Sequence, residues 1–175
     1  SSVLNITLLS TNPAGNMSLH LYGLSNEEVS DAPAVVYIGT DSVLGGPITG
    51  GGSWTKTGPG QLTVTNAAST AWGAVAVNAG ALGVANGGCL TLGPVSVAEG
   101  ATLFGDGRLG GNVSVANNAW FMAGSAVSCG TLQVGGILTH APGVRLAYRF
   151  GPTNSTDTVT GGGPRTSPTN GVVQA

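Results

Sequence analysis

The chain has 175 residues, 41% of them apolar, which suffices for one domain with a continuous core. Only 7% are charged, against about 25% in an ordinary globular domain, while Gly supplies 31 positions and the net charge is −2. This composition excludes a disordered chain, which would be poor in aliphatic residues and rich in charge, and a nucleic-acid partner, which would need a stripe of Lys and Arg against its phosphates.

Residues 1–50 read as irregular leading coils. Strand-like runs from Val3 to Leu8, Ser18 to Tyr22 and Ala34 to Ile38 are separated by Asn12-Pro13, Gly15-Asn16 and Pro33, residues that favour turns. Three of the seven acids fall between Ser25 and Asp31, so the stretch near 25–33 is expected to be a solvated acidic loop. No run of 18 apolar residues occurs anywhere, which excludes a transmembrane helix and any such insertion of this segment in a membrane. The start at Ser1, without Met or a leader, is the start expected of an excised or processed piece.

From 51 to 160 the chain turns regular. Val75-Ala-Val77-Asn-Ala-Gly80-Ala81, Val95-Ser-Val97-Ala-Glu-Gly100-Ala101 and Val113-Ser-Val115-Ala-Asn-Asn118-Ala119 share the pattern V-x-V-x-x-[GN]-A, with starts 20 and then 18 residues apart. Leu132-Gln-Val134-Gly-Gly136 reads as a looser fourth copy, 19 residues on. Each copy is a short strand followed by a residue that tolerates positive φ, and nothing helical lies between copies. A fixed period with these signals predicts a β-solenoid of 18–20 residues per coil. Scarce charge agrees with it, because stacked side chains lie about 4.8 Å apart and a repeated charge would repel itself along the ladder.

Alternation within a coil predicts that Val75, Val77, Leu82, Leu90, Leu92, Val95, Val97, Leu103, Val113, Val115, Leu132, Val134, Leu138 and Leu146 fill the interior. Trp120 and Phe121 are expected to replace aliphatics in that interior, Tyr148 and Phe150 to close it, and Trp54 to anchor the core. Trp72, in a turn-like stretch, is the tryptophan to examine for exposure. Cys89 and Cys129 lie two coils apart, roughly 9–10 Å and beyond disulfide reach, so they are expected to remain thiols. Residues 161–175, with Gly161-Gly-Gly-Pro164 and Ser167-Pro-Thr-Asn-Gly171, read as a tail.

Catalytic and ligand-binding constellations are thin. Gly105-Asp-Gly107-Arg-Leu-Gly110 fits G-x-G-x-x-G, but a strand follows it where a dinucleotide site needs a helix, so it reads as a turn. Glu99 and Asp106 are the acids between Gly50 and Phe150 and sit at different corners, too sparse for the paired carboxylates of a carbohydrate-active β-helix enzyme. His20 and His140, far apart in sequence, read as strand-surface residues. The two cysteines lack histidines at ligand spacing, so no metal and no cofactor is expected, and no catalytic residue is assigned.

Gly46-Pro-Ile-Thr-Gly-Gly-Gly-Ser-Trp54-Thr-Lys56-Thr-Gly58-Pro-Gly60-Gln-Leu62-Thr-Val64, followed by Val77-Asn-Ala-Gly80-Ala-Leu82, resembles the passenger-associated repeat of bacterial autotransporters. Downstream, Glu99-Gly-Ala-Thr-Leu103, Gly110-Gly-Asn-Val-Ser-Val115 and Pro142-Gly-Val-Arg-Leu146-Ala-Tyr148-Arg-Phe150 resemble the closing part of such passengers. The resemblance spans about 45–160 and implies a right-handed parallel β-helix with three short strands per coil, ended by a C-terminal cap. It further implies a non-catalytic stalk and folding nucleus, or autochaperone, displayed at the bacterial cell surface after passage through the periplasm and outer membrane. Its partners would be upstream passenger coils and a downstream membrane barrel of the same polypeptide. The residues it marks as structural are Trp54, Lys56, Gly58, Gly60, Leu62, Val95, Val113, Trp120, Leu146, Tyr148 and Phe150. The alternative is an adhesion or self-association module, carried by polar ladders on a flat β-face toward a host surface or another copy.

Overall fold

The computed structural model describes residues 34–148, together with the backbone of three outlying strands. In chain order the strands are β1 (Asn5–Leu8), β2 (Ala34–Ile38), β3 (Ser42–Leu44), β4 (Trp54–Thr57), β5 (Gln61–Val64), β6 (Val75–Val77), β7 (Ala81–Val84), β8 (Val95–Val97) and β9 (Thr102–Gly105). They continue as β10 (Arg108–Leu109), β11 (Val113–Val115), β12 (Trp120–Ala123), β13 (Thr131–Val134), β14 (Leu138–His140), β15 (Arg145–Ala147), β16 (Thr158–Gly161) and β17 (Val172–Gln174). The acidic stretch near 25–33, the run from Ser18 to Tyr22 with His20, and Phe150 lie outside the described residues.

All named pairings are parallel, and the strands form three sheets: β1-β2-β4-β6-β8-β11-β14, β17-β15-β12-β9-β7-β5-β3 and β10-β13-β16. This is a right-handed parallel β-helix. The first two sheets are called the front and back sheets below. Among the described residues the third face carries strands only in the later coils; earlier it is held by an isolated bridge between Cys89 and Arg108. The ladders extend back through β2 and β3 into the irregular leading stretch, and β17 adds to the back sheet from within the segment whose composition reads as a tail.

Register explains the repeat. The template valines stack in two inward columns of the front sheet, Ala34-Trp54-Val75-Val95-Val113-Leu138 and Val36-Lys56-Val77-Val97-Val115-His140. The template's turn position takes positive φ as expected, 65° at Gly80, 76° at Gly100 and 56° at Asn118. A matching column runs down the back sheet, Ser42-Leu62-Leu82-Leu103-Phe121-Leu146. Together these columns make one continuous apolar core, against which Leu138, Leu146 and Tyr148 pack half-buried.

Four expectations shift. The copy that continues the Val113 ladder is Leu138-Thr-His140, followed by Gly143 at φ 81°, and it lies 25 residues on; Leu132-Gln-Val134 belongs to the third sheet. The loop from Gly124 to Gly130 lengthens that coil and shifts the apparent period. Leu92 is exposed (47%) because Thr91 takes the inward place at that corner. Thr91 Oγ1 lies 3.1 Å and 3.0 Å from the carbonyl oxygens of Ala71 and Gly73 and accepts from the Gly93 N–H, so its burial leaves no polar atom unpaired. Trp120 points outward, half-buried, because Phe121 occupies the column of Leu103, and neighbours on a strand face opposite ways. The Arg145 guanidinium sits 5.2 Å from its ring centroid, a cation–π contact between coils. His140 is buried in a valine column rather than on the surface.

Before each front-sheet strand from β4 onward the chain turns at a glycine, and Gly52, Gly73, Gly93, Gly111 and Gly136 stack as a column. A methyl on Gly73 would land on the Gly52 carbonyl, whereas one on Gly52 meets open space. Gly73→Ala is therefore expected to destabilise the chain by more than about 2 kcal/mol and Gly52→Ala by less than about 0.5 kcal/mol, measured by denaturant unfolding. Equal effects would show that the column is not close-packed.

Candidate functional site

Two features stand out on this scaffold, a buried cation at one corner and an uncharged groove on the outer front face. Lys56 takes an inward position on β4, between Val36 and Val77 on the neighbouring coils, and is fully buried. A cation there is tolerable only if its donors are used. The chain leaves β4 through Gly58 and Gly60, whose carbonyls turn inward, and the Lys56 Nζ donates to Gly58 O at 2.9 Å and to Gly60 O. A third bond, at 2.7 Å, reaches Ala79 O on the next coil.

The glycines of the resembling motif are thus set by this corner. Gly58 adopts φ 82°, a side chain on it would strike the backbone of Ile38, and one on Gly60 would strike Thr40. A side chain on Gly80 would strike the Lys56 amine itself. The motif ties three successive coils together at one point. Burial lowers the amine's pKa from its usual 10.5 to about 8, with the Asp41 carboxylate pulling the other way. Asp41 also accepts the Gln61 N–H at 2.9 Å, so it closes the same corner from outside.

Trp54, in the adjacent column of β4, is buried as expected, with its indole Nε1 unpartnered. Leu62, Val95 and Val113 are buried core members. The remaining expected structural residues fall further along: Trp120 lies outside under Arg145, Leu146 and Tyr148 pack at the edge of the core, and Phe150 is beyond the described residues.

On the outer front face, Thr55, Ala76, Ser96, Ser114 and Thr139 form one outward column. With Ser53, Ala74, Pro94, Asn112 and Ile137 beside it, this column lines a groove of about 340 Å³. No Asp, Glu, Lys or Arg is among the lining residues. Trp72 stands at the corner just before Ala74, 68% exposed, its ring resting on Gly51 of the preceding coil. The sequence marked Trp72 for attention but not the groove, since the groove becomes visible only once the register sets the small outward residues in line.

Chemically reactive groups are scattered. Glu99 accepts from the Asn118 side chain at 3.0 Å across one coil step, and Asp106 is exposed on a separate turn. Burial pushes the Cys89 thiol up, Arg108 pulling it down, and no disulfide joins Cys89 to Cys129. Among the described residues no group of three His, Cys, Asp or Glu side chains is placed to hold a metal ion.

The corner predicts a pH dependence. Between about pH 8 and about pH 10.5 the unfolded chain holds a proton that the folded chain has released, so the Lys56 contribution to stability rises through that window and is lost as pH falls through about 8. Cys89 acts in the opposite sense, so the quantity to measure is the difference between the unmutated chain and Lys56→Met, in which the cysteine cancels. Lys56→Met is expected to cost about 1–3 kcal/mol near pH 7.5, where the ammonium supplies a donor to each of the three carbonyls, with the gap widening toward pH 9.5 in thermal or denaturant melts as the folded chain sheds the buried charge. A gap that does not change with pH would mean the amine is not desolvated. Compared with family models, curated proteins and solved structures, the chain finds no match.

Proposed function

We propose that this chain is a non-catalytic β-helical stalk and folding nucleus near the end of an autotransporter passenger, supporting its secretion and display at the bacterial surface. The observation that carries the reading is the Lys56 corner. The motif on which the family resemblance rests is spent on locking coil to coil, through one amine shared between Gly58, Gly60 and Ala79. In-register parallel ladders leave a ready edge at the end of the stack, onto which a further coil adds without new nucleation. A segment that folds first and offers such an edge drives ordered growth of the rest.

A second reading, an adhesive surface, is favoured by the uncharged outer front face, which a stalk alone does not require. The two readings are compatible, because one uses the interior and the ends and the other a side.

The test places the full chain between a reporter β-helix that lacks its own closing coils and a translocating outer-membrane barrel. Restored surface display of protease-resistant reporter is the expected outcome. Phe121→Asp, which buries a charge in the back-sheet column, should abolish it, and the purified unmutated chain should refold cooperatively from denaturant. A purified chain that stays unstructured, or display that survives Phe121→Asp, would sink the reading.

A further inference from the structure

From the outer front face we infer that the groove is a binding site for a linear, uncharged oligosaccharide lying along the solenoid axis. The inference rests on the adhesive reading of that face and is independent of the stalk reading.

Three observations carry it. First, the groove runs across the rungs from Thr55 to Thr139, and hydroxyls stand along it at Thr55 and, past Ala76, on the successive rungs of Ser96, Ser114 and Thr139, about 4.8 Å apart. That step is close to the length of a pyranose unit, so a linear glycan meets side-chain hydroxyls along its length. Protein chains prefer to pair with strand edges, and this is a sheet face, whose backbone groups are already used in the ladders. Second, the lining carries no charge, which matches a neutral ligand and gives an acidic polysaccharide no cation to pair with. Third, Trp72 is exposed at the corner two residues before Ala74, which lines the groove, and its ring rests on Gly51, which has no side chain to displace it. An exposed aromatic plate on the same edge of the front face as the groove suits a sugar ring reaching that corner, whose C–H face stacks on an aromatic while its hydroxyls take the polar contacts.

Asn112 extends the polar lining. Its Oδ1 accepts the Ile137 N–H at 2.9 Å, which fixes the amide and leaves its NH2 as the donor on the exposed side. Carboxylates are missing from the lining, so the groove has no acid and base pair with which to cleave what it holds.

The experiment titrates the full chain with cellohexaose and with a mannose hexamer joined by β-1,4 links as neutral probes, and with an oligogalacturonate of equal length as the anionic control. Calorimetry gives the affinity and tryptophan emission the environment of Trp72. Saturable binding of at least one neutral hexamer is expected, with a blue shift that disappears in Trp72→Ala. Trp72→Ala should weaken binding by about tenfold or more, and the pair Ser96→Glu with Ser114→Glu should abolish it. All three positions are exposed, so Trp72→Ala and each glutamate made singly should melt as the unmutated chain does, while the stacked pair should lose some stability through like-charge repulsion, which its melt measures. No saturable neutral binding at millimolar probe, equal binding of the anionic control, or affinity unchanged in both variants would overturn the inference. So would sedimentation that shows the unmutated chain as a dimer split by the two glutamates, since the face would then belong to a second copy. Surface display by the variants is measured alongside: failure there counts against the stalk reading, not against the groove.

Discussion

A parallel solenoid depends on satisfying backbone polar groups where the chain turns corners, because the ladders take care of the strands and nothing automatic takes care of the turns. This chain meets the constraint in three ways. Turn amides reach carbonyls one coil away, as Gly60 N does to Ile38 O at 2.9 Å. Thr91 buries a hydroxyl between two carbonyls of the coil before. At the most crowded corner, Lys56 brings a cation inside and spreads it over three carbonyls. The glycines follow from the same constraint, since inward carbonyls and close coils leave no volume for a Cβ.

The fold was legible because stacking imposes its period directly on the sequence. Val75, Val95 and Val113 occupy one column, and the turn residues Gly80, Gly100 and Asn118 take the conformation their identity suggests. Legibility failed where a column changes residue type or a coil changes length. Trp54 with Lys56, and Leu138 with His140, occupy template positions but do not look like Val-x-Val. The long coil between β11 and β14 moved the apparent fourth copy onto the wrong sheet. Trp120 and Phe121 are equally bulky neighbours, and alternation alone does not say which faces in; the register with Leu103 decides it. For the candidate site, residue type flagged Trp72, but the groove arises from residues 18 to 25 apart that carry no local signature.

Interior and exterior do separate jobs in this architecture. The inward columns are apolar apart from isolated exceptions and set stability, while the outward front-sheet column from Thr55 to Thr139 stays small and uncharged without contributing to the core. Side chains on that face can therefore vary in chemistry with little effect on folding. The outer face of such a stack can thus diverge while the core that presents it is preserved.

Near-identical coils carry a hazard, which is that one coil can dock on the wrong neighbour and bury much the same valines. Lys56 removes that degeneracy. Two of its carbonyl partners, Gly58 O and Gly60 O, belong to its own coil, and the third, Ala79 O, is the contact that joins it to the next, beside Gly80, where a side chain would strike the amine. A single cation in a column of valines thus acts as a key that gives the stack one correct alignment.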